Sequence, residues 1–358
     1  MKRRSFLLLL PGFGVPGAAP GAVPVYPPVE AGRTLAFPRD HGAHPDYRTE
    51  WWYATGWLQT QAGAPLGFQI TFFRSRPQFD QANPSRFAPR QLLSANVALS
   101  DPVAGKLQHD QRAVRSGFGL ALADTADTNV YIDDWSLRRE MAGRYRARFP
   151  ARDFTLDLTM EPTRQLLLQG EQGYSRKGPL ASHASYYYSQ PGLKVSGTLK
   201  QRSQQQAVHG TAWLDHEWSS ALLADEAVGW DWLGLNLDDG GALMAFRIRD
   251  KAGRKFWGGG TLRGGDGRVQ VLAAEDVTFM PVRSWRSPRT GASYPVAMRL
   301  KAGDITLELV PLMDDQELDS RASTGAVYWE GAVTALRNGK AVGRGYLELT
   351  GYFQRINL

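Results

Sequence analysis

The sequence contains no cysteine, which excludes disulfides, thiolate metal sites and cysteine nucleophiles together. The fold must therefore hold by packing alone. Long apolar runs are equally scarce. The first one, Phe6–Leu10, is stopped by Pro11, Gly12, Gly14, Pro16 and Gly17, far short of the roughly 20 apolar residues of a spanning helix. No later segment qualifies, and amphipathic helical periodicity is nearly absent. Charge of one sign does not accumulate either: arginines are scattered among Asp and Glu, and the net +7 falls to +4 without Lys2, Arg3 and Arg4. That mild excess gives no nucleic-acid footprint. A Gly-x-Ser-x-Gly elbow is missing, which argues against a serine hydrolase. Gly258-Gly259-Gly260 lacks the following helix and the spacing of a phosphate cradle, and reads as a bend in a strand.

What is present is an ordinary globular composition, with 42% hydrophobic and 22% charged residues over 358 positions. That length favours two domains behind a leader. Residues 1–22, opening Lys2-Arg3-Arg4 and then Ser5 to Leu10, read as an export signal of twin-arginine type, which places the mature protein in the periplasm or outside the cell. Residues 23–45 are Pro-rich and aperiodic, an extended lead-in. Beyond them run short alternating, aromatic-rich segments punctuated by Gly, Pro, Asp and Asn. Eight, from Glu50–Gln59 to Val208–Leu214, fill a first domain at 46–219. Eight more, from Gly229–Leu237 to Lys340–Tyr352, fill a second at 220–358, with Val269–Phe279 read as a single strand. Turn chemistry at Asp238-Asp239-Gly240-Gly241 and Asn338-Gly339 agrees. The prediction is an all-β fold: two tandem antiparallel β-barrel or sandwich domains, joined at Ser219–Ala227 by a short helix or linker.

Tryptophan is abundant, with eleven residues, most of them clustered: Trp51, Trp52 and Trp57, then Trp213, Trp218, Trp230 and Trp232. Such rings line an apolar pocket or fill barrel interiors. Strand alternation sends Trp51, Tyr53 and Thr55 one way and Glu50, Trp52 and Ala54 the other. The most distinctive segment is Trp213-Leu214-Asp215-His216-Glu217-Trp218, three ionisable residues between two tryptophans. In a strand, His216 and Trp218 share one face, while Trp213, Asp215 and Glu217 share the other. A carboxyl or imidazole buried among rings has a shifted pKa and suits proton transfer near neutrality. The competing reading is a structural polar network. Metal binding by Asp215, His216 and Glu217, joined by His44, Asp46 and Glu50, is disfavoured because adjacent strand residues point apart and no two-His spacing offers a template. No metal and no cofactor are expected. Arg74, ending Phe68 to Phe73, and Tyr187, within Tyr186-Tyr187-Tyr188, complete the candidate ligand-binding residues with Glu50, Trp52, Trp218, Trp230 and Trp232.

The segment Glu50-Trp51-Trp52-Tyr53 resembles the signature of the AttH and carotenoid 1,2-hydratase family. Tyr187-Tyr188-Ser189, Gly210 to Ser219, Gly229-Trp230-Asp231-Trp232 and Gly345 to Tyr352 follow in the same order. The resemblance spans about Asp46 to Tyr352 and implies two lipocalin-like domains with a ligand pocket at or near their interface. It implies no single chemistry: similar proteins include hydratases of a terminal carotenoid double bond, promoters of pericyclic cyclisation and exported proteins termed secreted hydrolases. His216 and Trp218 match the His-x-Trp of the hydratase branch. The chain departs from that branch's downstream Tyr-x-Asp, having Phe246 and no acid two residues later. The expected function is acid–base chemistry by Asp215, His216 and Glu217 on an apolar isoprenoid or lipid-like molecule. The alternative is a non-catalytic carrier or accessory protein beside a membrane transporter.

Overall fold

The computed structural model describes residues 25–78, 83–202 and 204–356; the leader reading for 1–22 lies outside them. Two antiparallel sheets, 13-stranded and 10-stranded, make up the fold. Helix among the described residues is confined to the 3-10 turns Arg39–His41, Met141–Gly143 and Ala274–Asp276. No helix among them is long and apolar enough to cross a membrane. The first sheet runs from Thr49 to Ala221 and the second from Ala227 to Leu349. The chain passes between them through 222–226 without helix. In the first sheet the strand Gln108–Arg115 curls towards Asn129–Ile132, where Arg112 Nη1 donates to the Ile132 carbonyl at 3.3 Å. The result is a nearly closed, lipocalin-like barrel.

The expectation of eight strands apiece is corrected, for physical reasons. Gln108–Arg115 is polar and mostly half-buried, so it lacks the apolar alternation that marks a strand. Val269–Phe279 is two strands, Val269–Leu272 and Val277–Arg286, because the Asp276 carboxylate accepts the Ala273 N–H at 2.9 Å and folds a turn between them. The lead-in is corrected too. Asp40, His41 and His44 are buried, and the segment caps one end of the first barrel, with His41 Nδ1 2.8 Å from the Tyr188 hydroxyl. Pro-rich, aperiodic sequence carries no periodic signal for such a plug.

Each sheet has two apolar faces. Trp52, Phe68, Phe72, Trp135 and Leu214 fill the barrel of the first sheet; Leu233, Leu235, Tyr294, Trp329 and Leu347 form the core of the second sheet. A third cluster joins the domains: Tyr53, Trp57, Tyr187 and Trp213 pack against Trp232, Met244, Phe246 and Tyr346. Polar contacts fix the relative placement, among them Trp57 Nε1 to the Gly345 carbonyl at 3.0 Å and the Gly192 N–H to Asn236 Oδ1 at 2.7 Å. The sheets approach so closely at Gly67 that a Cβ there would lie 2.7 Å from both the Ala332 Cβ and the Tyr346 hydroxyl.

Gly67→Val therefore overpacks the domain contact, and the expected loss is about 1–3 kcal/mol, read as a lower denaturant midpoint.

Candidate functional site

The strand Gln204–Ala221 lies between Thr49–Thr60 and Ala184–Gln201, with Trp52 and Tyr188 flanking His216, and Tyr53 and Ser189 flanking Asp215. Its pleat divides the ionisable triplet between two environments. His216 and Trp218 turn into the first barrel, while Trp213, Asp215 and Glu217 face the second domain. Aromatic neighbours follow the same parity.

On the inner face, Glu50 is the centre of a closed network. Its Oε1 lies 2.8 Å from both His216 Nε2 and His44 Nδ1, and its Oε2 accepts Arg74 Nε at 2.8 Å and the His44 N–H at 2.9 Å. The outer nitrogens are engaged as well: His44 Nε2 lies 3.0 Å from Asp40 Oδ1, and His216 Nδ1 3.2 Å from the Tyr188 hydroxyl. Arg74 completes its donors on Gln91 Oε1 at 2.8 Å and the Tyr47 carbonyl at 3.0 Å. Rings close the network off, Trp218 stacking on His44 at 3.7 Å and Trp52 on His216 at 4.7 Å. Burial acts to raise the Glu50 carboxyl, but Arg74, His44 and His216 outweigh it and hold it well below the ordinary value. Burial lowers the His216 imidazole.

His44, Glu50 and His216 bring ligand atoms within 4.8 Å of one another, a convergence that strand alternation around 215–217 did not anticipate because His44 arrives from the lead-in. The donor set fits hydrogen bonding better than an ion. One Glu50 oxygen already serves both imidazoles, and the Arg74 guanidinium holds the cationic place on the other.

On the outer face lies a narrow chamber of about 80 Å³ between the domains, walled by Trp51, Tyr53, Tyr187, Trp230, Trp232 and Phe246. It adjoins a wider vestibule of about 690 Å³, with which it shares Phe73, Trp230, Tyr328 and Glu348. Asp215 and Glu217 line the chamber, and so do Glu330 and Glu348 from the second domain. Glu217 is engaged: Ser185 donates to it, and Lys177 Nζ lies 3.0 Å away. Lys177 also sits over the Phe246 ring at 4.3 Å.

Asp215 differs. Its Oδ1 accepts Ser189 Oγ at 2.5 Å and Trp213 Nε1 at 2.6 Å, and its Oδ2 accepts the Tyr187 hydroxyl at 2.6 Å. A carboxyl offers about four lone-pair sites, so one remains, on Oδ2. Burial raises the Asp215 carboxyl to about 7, against the pull of those donors from Ser189, Tyr187 and Trp213. The second domain helps set this geometry, because Trp232 Nε1 donates to the Tyr187 hydroxyl at 3.0 Å.

Of the residues singled out from sequence, the structure gathers Asp215, Glu217, Tyr187, Trp230 and Trp232 around the chamber. It places Glu50, Trp52, Arg74, His216 and Trp218 in the buried network, although Arg74 also borders the vestibule. His216 does not line the chamber, so the triplet is divided between two environments. Sequence reasoning missed Lys177, Glu330 and Glu348, and named Trp51, Tyr53 and Phe246 without placing them in the site. Glu330 and Glu348 carried a signal, an acid at an alternating position inside the apolar runs Tyr328–Val333 and Tyr346–Leu349. Phe246 and Ile248 also line the chamber.

A family model described as AttH-like matches residues 28–352. A crystal structure from Nitrosomonas europaea, provisionally assigned as an AttH, is 57% identical with a TM-score of 0.87, covering 92% of this chain and 100% of that one. Kievitone hydratase from Nectria haematococca shares the fold at 16% identity and a TM-score of 0.69, covering 94% of this chain and 98% of its own. No curated protein matches the sequence.

Two outcomes follow for stability. Glu50→Gln removes the charge that Arg74 faces in a buried site, at an expected cost of about 3–5 kcal/mol, measured by denaturant unfolding. Because its folded pKa is depressed, the stabilisation from Glu50 is present above the ordinary carboxylate range and is lost as pH falls below it. Asp215 has the opposite sign. Its raised value, about 7, means that the folded state keeps a proton the unfolded chain gives up above the ordinary carboxylate value, so stability falls as pH rises from that value and levels off above about 7. Asp215→Asn should therefore gain thermal stability relative to the parent between pH 5 and pH 8.

Proposed function

The chain belongs to the AttH-like family, and we propose that this member is a hydratase-type enzyme, adding water across a carbon–carbon double bond of an apolar, isoprenoid or lipid-like molecule. The observation that carries the reading is Asp215: three donors bind its oxygens, one site on Oδ2 is left for a proton, and the carboxyl lines an aromatic chamber. A value raised to about 7 keeps a large fraction of this acid protonated near neutrality, which is what a general acid requires. Trp51, Trp230 and Trp232 supply ring faces able to stabilise the cation formed when an alkene takes that proton. Tyr187 orients the acid, and the Glu217–Lys177 pair fixes the adjoining wall. The name of kievitone hydratase adds support, since it associates a hydration with this fold. His216 and Trp218 have a different part here: with Glu50 and Arg74 they hold the strand that presents Asp215. In this reading the protein is exported and works in the periplasm or outside the cell.

The test is incubation with geraniol, farnesol and squalene, followed by mass spectrometry for the gain of one water. Recovery of bound but unaltered molecules would favour a carrier. Asp215→Asn should lower kcat by about 10²–10⁴-fold, the usual worth of a positioned acid. The parent's rate should fall as pH rises through about 7, where burial places the Asp215 titration. His216→Ala should lower the thermal midpoint more than it lowers kcat measured well below that midpoint.

A further inference from the structure

We propose that Glu330 and Glu348 together form the base that takes the proton from the attacking water, on the chamber wall contributed by the second domain. This inference rests on the hydration reading above and assigns its second half.

Glu330 and Glu348 are direct partners on the adjacent antiparallel strands Ala326–Arg337 and Lys340–Leu349. Residues so placed share a face, with Cβ atoms about 4.5–5.5 Å apart. Both line the chamber. Glu330 is 2% exposed, and neither of its carboxyl oxygens has a partner within ordinary hydrogen-bond geometry among the described residues, although the Tyr53 and Tyr328 hydroxyls lie near enough to favour its charged form. A buried carboxyl in that state is costly unless something else meets it. Glu348 is oriented by Trp230 Nε1, which donates to Oε2 at 2.8 Å, and it also borders the wider vestibule. No cation pairs with either acid among the described residues, whereas Glu217 has Lys177. Burial raises both carboxyls, and each is raised further by neighbouring negative charge: Glu348 acts on Glu330, and Asp215 and Glu217 act on Glu348, which reaches about 7. Two like charges at this separation resist joint ionisation, so one member of the pair keeps its proton when the other gives its own up. The pair can therefore accept a proton and hold a water at once.

The step balances. The Asp215 O–H breaks and its proton forms a C–H bond at one alkene carbon, leaving a cation at the other and a carboxylate at Asp215. The water oxygen bonds to the cation, and one water proton passes to the Glu330–Glu348 pair. The product is the neutral alcohol. Exchange with vestibule water carries the proton from the pair to bulk and returns one to Asp215.

Deuterium separates the two halves. With farnesol in D₂O, a wild-type enzyme that protonates reversibly places deuterium in recovered alkene as well as forming alcohol. The double variant Glu330→Gln/Glu348→Gln should lose about 100-fold in hydration while keeping alkene labelling within about threefold. Asp215→Asn should lose both. Glu330→Asp, which retains a carboxyl, should recover part of the hydration lost in Glu330→Gln, and these single variants serve if the double variant does not fold. Equal loss of labelling and hydration in the glutamine variants, with farnesol still quenching tryptophan fluorescence, would overturn the inference, and so would undiminished hydration. Absence of both labelling and hydration in the wild type would instead sink the hydration reading itself.

Discussion

The pleat of one strand governs this molecule. Successive residues of Gln204–Ala221 face alternately into the first barrel and out towards the second domain, so a one-residue slip would exchange every environment along it. Register is consequently held hard from the inner side. His216 joins Glu50, Glu50 joins Arg74, and His44 joins Glu50 and Asp40. These contacts tie Gln204–Ala221, Thr49–Thr60, Pro65–Ser75 and the capping segment into one buried unit. The inner-face contacts thus fix the register of the backbone from which Asp215 projects.

The outer face works through the opposite electrostatics. Inside the barrel, Glu50 is buried with an arginine and two imidazoles, and its charge is favoured. Between the domains, Asp215 is buried with neutral donors and Glu330 beside the like charge of Glu348, and there the proton is favoured. The same residue class is thus set to opposite protonation states by what surrounds it. The domains share in this setting, since Trp232 of the second acts on Asp215 of the first through the Tyr187 hydroxyl.

The all-β architecture was legible because strand alternation is written directly in runs such as Glu50–Gln59, and the division of Asp215 and Glu217 from His216 follows from the same alternation. The number of strands was not, since Gln108–Arg115 is polar and lacks an apolar side. Nor was the role of the lead-in, where His44 acquires meaning only by stacking on Trp218. Alternation says which residues share a face but not what the face meets. Trp52 and Trp51 look alike in sequence, yet one packs in a filled barrel and the other walls a chamber. Glu330 and Glu348, 18 positions apart in sequence, become partners only through the hairpin that pairs their strands.

Neither domain interior offers space. Large rings occupy both interiors: Trp52, Phe72 and Trp135 in the first, Tyr294 and Trp329 in the second. Close packing leaves no room among such side chains for a further molecule. The space lies instead at the seam, where Gly67 allows close approach on one side while Trp230 and Glu348 border both the chamber and the vestibule on another. A site at a seam takes its walls from two separately stabilised sheets, so acids can face one another across it without sharing a strand. That arrangement suits the proposed addition of water, in which one group gives a proton and another can take one.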